Sequence, residues 1–321
     1  VAAIFIWLEQ RGLRSTWGDV RQGVWMAITR GGLLRLRETS EHKTWHPHLL
    51  VLSGAPTRRW HLIDLARSLT HNRSLMTVAT VVTGDVSAER QRSLRATIHE
   101  YLEQRAVHSL VRTIQAPDPF EGAERLVDAY GLGPLVPNTI VIGDSEDKAT
   151  LGRYTHMLAA TYRARRNLVI VRHDPERWYG DRSRIDLWWG GLRGNGGLMM
   201  TLAYQLATSL EWKDAEVRVK MMVASEAGAE SAKANLDRLV RRFRARITTE
   251  VLVAKGTTFE DLLSISSAGA DLVLLGMRSP DGMEPEDFTT YYEGLRTRTA
   301  GLPTTAFVLL SEDVSFDQII T

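Results

Sequence analysis

The chain has 321 residues, 44% of them hydrophobic and 24% charged, with a formal net charge of +2. That length accommodates about two domains, the composition is that of an ordinary globular protein, and the near-neutral balance gives no case for a nucleic-acid partner. There is no cysteine, which excludes disulfides, thiolate nucleophiles and cysteine-type zinc sites.

The chain starts at Val1 and opens on Val-Ala-Ala-Ile-Phe-Ile-Trp-Leu (residues 1–8). This run is far shorter than the roughly 20 residues that span a bilayer, and it lacks the basic leader and cleavage site of a signal peptide. It reads as the tail of a transmembrane helix belonging to a longer protein. Ser15-Thr16 then offer an N-cap for a helix over 17–28, on which Trp17, Val20, Val24, Trp25 and Ile28 recur at helical spacing and form one apolar stripe. Gly31-Gly32 is expected to break that helix. A helix outside any β/α unit, with two tryptophans on its face, needs a surface to cover: its own domain, a second subunit or a membrane domain.

From His48 onward short β-branched runs alternate with amphipathic stretches. The first series predicts strands over 49–52, 75–82, 109–114, 139–143 and 168–171, with helices over 60–69, 88–105, 120–130 and 148–162. The second predicts strands over 185–189, 217–223, 249–253, 272–275 and 305–310, with helices over 198–210, 230–243, 259–268 and 287–299. Strands that are apolar throughout and alternate with helices imply a parallel sheet covered on both faces. Five strands followed by five in the same order are an internal repeat. The expected fold is α/β: two tandem doubly wound parallel-sheet lobes of five strands each, in order 3-2-1-4-5, preceded by an N-terminal helical connector. The expected boundaries are 1–45 for the membrane-helix end and connector, 46–177 for the first lobe and 178–321 for the second.

Between the two series lies Gly190 to Gly197, where five of eight residues are glycine. It follows a strand and precedes a helix N-terminus, the usual place for a phosphate. No Lys-Ser/Thr follows Gly196, and no Gly-x-Gly-x-x-Gly spacing is present, so a tight structural turn is favoured over a nucleotide cradle. Gly276-Met277-Arg278-Ser279, after an apolar strand, resembles the ATP loop of universal stress proteins, but continues into Pro280-Asp281-Gly282-Met283-Glu284-Pro285. The equivalent stretch of the first series is Gly143-Asp144-Ser145-Glu146-Asp147, whose carboxylates repel a phosphate unless a metal intervenes. Gly143, Asp144, Gly276, Arg278 and Ser279 are the candidate nucleotide-loop residues, and ATP or a related nucleotide is the only cofactor they invite. His46 and His48 share a face of an extended segment, but no nearby acid or cysteine completes a metal site. No Gly-x-Ser-x-Gly elbow, HExxH motif or paired-carboxylate spacing is present, and nothing points to catalysis. The arginine clusters at 163–166 and 241–246 read as cationic helix ends, with anionic lipid or an acidic partner as the alternative.

Several stretches taken together carry a resemblance. Trp17-Gly18 and the following helix, Trp45-His46-Pro47-His48-Leu49-Leu50-Val51-Leu52-Ser53-Gly54-Ala55-Pro56, Pro137-Asn138-Thr139-Ile140-Val141-Ile142-Gly143, Ile185-Asp186-Leu187-Trp188-Trp189 with Gly196-Gly197-Leu198, Trp212-Lys213 and Ala270-Asp271-Leu272-Val273 occur in order along nearly the whole chain. This pattern resembles the carboxy-terminal cytosolic domain of prokaryotic cation–chloride cotransporters, the family of the Na-K-Cl and K-Cl cotransporters. The resemblance implies universal-stress-protein-like lobes at the cytoplasmic face of the cell membrane. They would form a non-catalytic regulatory and dimerisation domain of a symporter that moves chloride with sodium or potassium. It implies a homodimer and a transmembrane transport domain as partners, ion sites in that membrane domain, and residues 17–28 as the connecting helix. The alternative is a tandem universal-stress-type nucleotide-binding protein.

Overall fold

A computed structural model describes residues 18–36, 45–71, 74–145, 147–190, 195–241 and 246–311. After a helix α1 (Gly18–Leu33), β1 (Leu49–Leu52), α2 (Trp60–Thr70), β2 (Met76–Thr83), α3 (Ala88–Glu103), β3 (Leu110–Ala116), α4 (Pro119–Ala129), β4 (Thr139–Gly143), α5 (Leu151–Arg163) and β5 (Asn167–Arg172) follow in strict alternation. The second series is β6 (Arg184–Trp188), α6 (Gly197–Ala207), β7 (Glu216–Val223), α7 (Glu226–Val240), β8 (Ile247–Val253), α8 (Phe259–Ser267), β9 (Leu272–Gly276), α9 (Pro285–Arg298) and β10 (Thr305–Leu309).

The strands form one sheet in the order β3-β2-β1-β4-β5-β10-β9-β6-β7-β8. Each half has the doubly wound order 3-2-1-4-5 expected from the repeat. The halves fuse where β5 meets β10 antiparallel, with Arg172 opposite Thr305 and Leu168 opposite Leu309; every other pairing is parallel. Successive strand side chains point to opposite faces, so the core divides in two. Leu49, Val51, Val169 and Val171 pack under α2, α3, α6 and α7. Leu50, Leu52, Leu168 and Ile170 pack under α4, α5, α8 and α9. The paired tryptophans obey the same rule. Trp188 joins the second cluster, edge-on to Phe259 at 5.2 Å, and Trp189 the first.

The same device fixes the first strand of each half. Asn138, just before β4, accepts from His48 N–H at 3.0 Å and donates to His46 O at 2.9 Å, tying the entry of β1 to its neighbour. Asp271, just before β9, accepts from Ser183 N, Ser183 Oγ and Arg184 N at 2.7, 3.0 and 3.0 Å, tying the entry of β6.

Among the described residues, 18–36 and 131–136 form a separate small unit. The expected break at Gly31-Gly32 does not occur: α1 runs through both glycines to Leu33, and Leu34 and Leu36 still donate to Arg30 O and Gly32 O at 3.0 Å. Glycine weakens a helix by about 1 kcal/mol but keeps its N–H and clashes with nothing, unlike proline. Residues 1–8 and Trp17 lie outside the described residues. No helix among the described residues is long and apolar enough to cross a membrane.

Candidate functional site

In an open doubly wound sheet the crevice lies at the carboxyl ends of the strands, where the order reverses. In the first half that point lies between β1 and β4, and a cavity of about 470 Å³ opens there. Its floor is apolar, with Leu52, Ala79, Val81 and Ile142 from the strands and Ala123 and Met157 from the helices. Its mouth carries Arg58 and Arg59, both exposed, on the turn that follows β1. Gly54 makes that turn at φ +62, accepting a 2.7 Å bond from Thr80 Oγ1 on its carbonyl. Arg59 is also the N-cap position of α2, and no side chain caps that helix. The N-cap of α5, Thr150, likewise lends no side-chain capping bond, so two helix starts without a side-chain cap border the cavity alongside two cations.

Gly143 and Asp144, candidates from the sequence, both line this cavity. Gly143 lies beside Arg59: a Cβ built there would stand 3.6 Å from the guanidinium, an ordinary van der Waals contact. The Gly143 carbonyl accepts from Tyr154 Oη at 2.9 Å. Asp144 is not a free carboxylate facing the cavity. Its side chain is 3% exposed, and α9 of the other half holds both oxygens, through Tyr292 Oη at 2.8 Å and Arg296 Nε at 3.1 Å. Burial, with the neighbouring Asp144 carboxylate, pushes the Tyr154 and Tyr292 phenols well above their ordinary range, so both remain donors. Asp147 is spent locally, accepting from Ala149 N and Thr150 Oγ1 at 2.9 and 3.1 Å. The repulsion foreseen from these acids is therefore met by Arg296 in one case and by a turn in the other; Glu146 lies outside the described residues.

The corresponding place in the second half differs. Gly276 ends β9, but a Cβ on it would stand 3.0 Å from Asn195 Nδ2. Asn195 fills this position from within: it donates to Met277 O at 2.6 Å and accepts from Leu310 N–H at 2.7 Å. Arg278 gives its backbone N–H to Tyr291 Oη at 2.9 Å, with its guanidinium 5.7 Å from that ring, and Ser279 Oγ accepts from Asp281 N at 2.9 Å. Gly276, Arg278 and Ser279 thus lie together after β9, but their polar groups serve the turn. A cavity of about 350 Å³ remains beside Asn195 and Gly276, walled by Trp188, Trp189 and Phe259. Residues 191–194 of the glycine-rich turn lie outside the described residues.

On α1, Val24 is half-buried while Trp25 and Ile28 are 55% and 56% exposed; Val20 falls in the helix, and its side chain lies outside the described residues. His46 and His48 gain no third ligand, and no group of three metal-binding side chains exists among the described residues. Sequence reasoning missed Arg58, Arg59, Asn195, Tyr292 and Arg296. The arginine pair just past Gly54-Ala55-Pro56 was a usable signal, since it sits at a strand end. The other three act across distances in sequence that no local pattern reveals.

A sequence model of solute carrier family 12 matches residues 59–176 and 179–259, more than half of the chain. Cation-chloride cotransporter 1 of Oryza sativa subsp. japonica is 24% identical over 294 residues, 83% of this chain and 29% of its own length. The chain thus spans less than a third of that relative. In fold it is similar to the cytoplasmic domain of a prokaryotic cation chloride cotransporter, with a TM-score of 0.63 at 18% identity, covering 85% of this chain and 99% of that one. A universal stress protein from Archaeoglobus fulgidus DSM 4304 is similar at a TM-score of 0.50 and 9% identity, covering 82% of this chain and 97% of that one. The matched stretches run from the start of α2 to the start of α8, through both halves of the sheet, and the chain belongs to solute carrier family 12.

Proposed function

We propose that this chain is the cytosolic regulatory and dimerisation domain of a cation-coupled chloride transporter, acting without catalysis of its own at the cytoplasmic face of the membrane. In this reading residues 1–45 connect to the transport domain that holds the ion sites, and 46–177 and 178–321 are the two lobes. The observation that carries it is the face of α1 shared by Trp25 and Ile28, one turn apart and 55% and 56% exposed. Large apolar side chains grouped in this way mark a contact surface. Pairing through that face biases the transporter only if the contacts differ between its conformations. Sedimentation velocity tests the first step: the chain should self-associate, and Trp25→Ser with Ile28→Ser should weaken association at least about tenfold, the usual weight of an aromatic anchor. A monomer at every concentration sinks the dimer reading.

A second reading, nucleotide binding as in a tandem universal-stress-type protein, is favoured by the first-half cavity. Arg58, Arg59 and the uncapped starts of α2 and α5 suit a polyphosphate, and the apolar floor suits a planar base. The second half, with Asn195 seated against Gly276, is not given a ligand in this reading. Calorimetry with ATP should show one site per chain, weakened by Arg58→Ala with Arg59→Ala. The two readings are compatible, and ATP binding by a strict monomer would favour the second alone.

A further inference from the structure

One residue that lines the cavity of the first half, Asp144, is held from the second half. Asp144 leaves the end of β4 and turns its carboxylate away from solvent onto α9, where Tyr292 and Arg296 hold it. Around this contact the two halves are stitched closely. Arg172 of β5 donates to Arg296 O and to Thr299, at the end of α9, and Thr155 of α5 meets Thr289 of α9 at 2.7 Å. Tyr162 of α5 donates to Asp281 just before α9 at 2.6 Å. Arg296 does not line the cavity, yet it neutralises the one buried carboxylate that does.

We propose that the first-half cavity is a joint between the lobes: an anion bound at Arg58 and Arg59 is sensed by α9 through Asp144, and Arg296 sets the anion affinity from outside the cavity. The proposal rests on the nucleotide reading for the ligand's identity, but not for the coupling. With Arg296 in place, the Asp144 side of the cavity is close to neutral. Without it, the Asp144 carboxylate loses its countercharge and opposes any phosphate that approaches the arginines. Linkage makes the effect reciprocal. If the pair favours anion binding, a bound anion favours the pair, and with it the docking of α9 on α5.

The test is a double-mutant cycle read by calorimetry with ATP, alongside hydrogen exchange of residues 285–298. ATP should slow exchange in that segment of the unmodified chain. Arg296→Met should weaken ATP binding about 5- to 100-fold, the usual range of coupling between sites, although it touches no ligand. Arg296→Met combined with Asp144→Asn should restore most of that loss, because the opposing charge is gone; a merely structural role for Arg296 would not be rescued. If Arg296→Met fails to fold, Tyr292→Phe removes only the hydroxyl on Asp144 Oδ1 and should act in the same direction, more weakly. Equal ATP affinity in the unmodified chain and the variant, or unaltered exchange in α9 on binding, overturns the coupling. If ATP does not bind, the nucleotide reading fails, and inorganic triphosphate decides the coupling by the same cycle. Failure of triphosphate as well overturns both.

Discussion

Asn138 and Asp271 perform the same task 133 positions apart in the chain, each clamping the backbone that enters the first strand of its half. Asn138→Ala removes three bonds, including one accepted from Thr139 Oγ1 at 2.9 Å, and leaves His48 N–H without its acceptor, so a loss of about 1–3 kcal/mol is expected in urea unfolding. Asp271→Ala leaves three donors around a missing charge and should cost more than Asn138→Ala in the same assay. The histidines add a pH dependence. His61 and His173 stack at 4.4 Å with rings only 11° apart, and Trp178 stands edge-on to both. Burial first, then His173 and Arg59, lower His61 to about 4; burial lowers His173, with Asp174 opposing. The unfolded chain takes up these protons near pH 6.5, and the folded chain at lower pH, about 4 for His61. Their contribution is complete above about pH 6.5 and is lost as the pH falls toward 4. Melting temperatures from about pH 7.5 down to 4.5 should fall less steeply in His61→Gln than in the unmodified chain; parallel curves would show that the stack is not responsible.

At the scale of elements, the loop from β5 to β6 carries the tightest constraint. Gly180 has φ +47, and a Cβ there would stand 2.0 Å from Asp271 Oδ1. Gly180→Ala therefore strains the backbone and dislodges the Asp271 clamp, an expected loss of about 3 kcal/mol or more. Gly282→Ala is the control: φ is +72 but nothing lies within 4 Å, so only the backbone term of about 1 kcal/mol remains. Comparable unfolding midpoints for the two variants would contradict this account. The elements themselves were largely legible. Apolar runs such as Leu49–Leu52 and Thr139–Gly143 have no polar face and could only be central strands, and all their residues are buried. Ends were less legible, because they depend on partners. The third strand extends to Ala116 since Thr83 and Ala116 still pair, although Gln115-Ala116 carries no strand signal. Asp118 starts α4 by accepting from Phe120 N and Glu121 N, which a reader of local pattern could have foreseen from Asp-Pro.

At the scale of the molecule, the decisive contact is β5 against β10. Both strands are buried nearly throughout, and each would be an open edge if its half stood alone. An unpaired apolar edge recruits other chains. Residues 178–321 expressed alone should therefore elute from a sizing column as aggregates, whereas the whole chain should not; a well-behaved monomer of that fragment would mean that the edge is closed in another way. Ion pairs reinforce the joint on the opposite face of the sheet, where Arg182 meets Asp64 at 2.5 Å and Arg67 meets Glu211 at 3.1 Å.

Periodicity determined the alternation of strands and helices and the twofold repeat, and with the crossover rules the order within each half. Those follow from local hydrophobic spacing and from crossover handedness, which hold wherever the chain is placed. The fusion of the halves into one sheet, the seating of Asn195 against Gly276 and the hold of Arg296 on Asp144 join residues 81 to 152 positions apart. Hydrogen bonds and ion pairs of that kind leave no spacing to read, because their partners are brought together only by packing. The same packing separates two similar strand ends, leaving an open cavity at Gly143 and a position filled from within at Gly276.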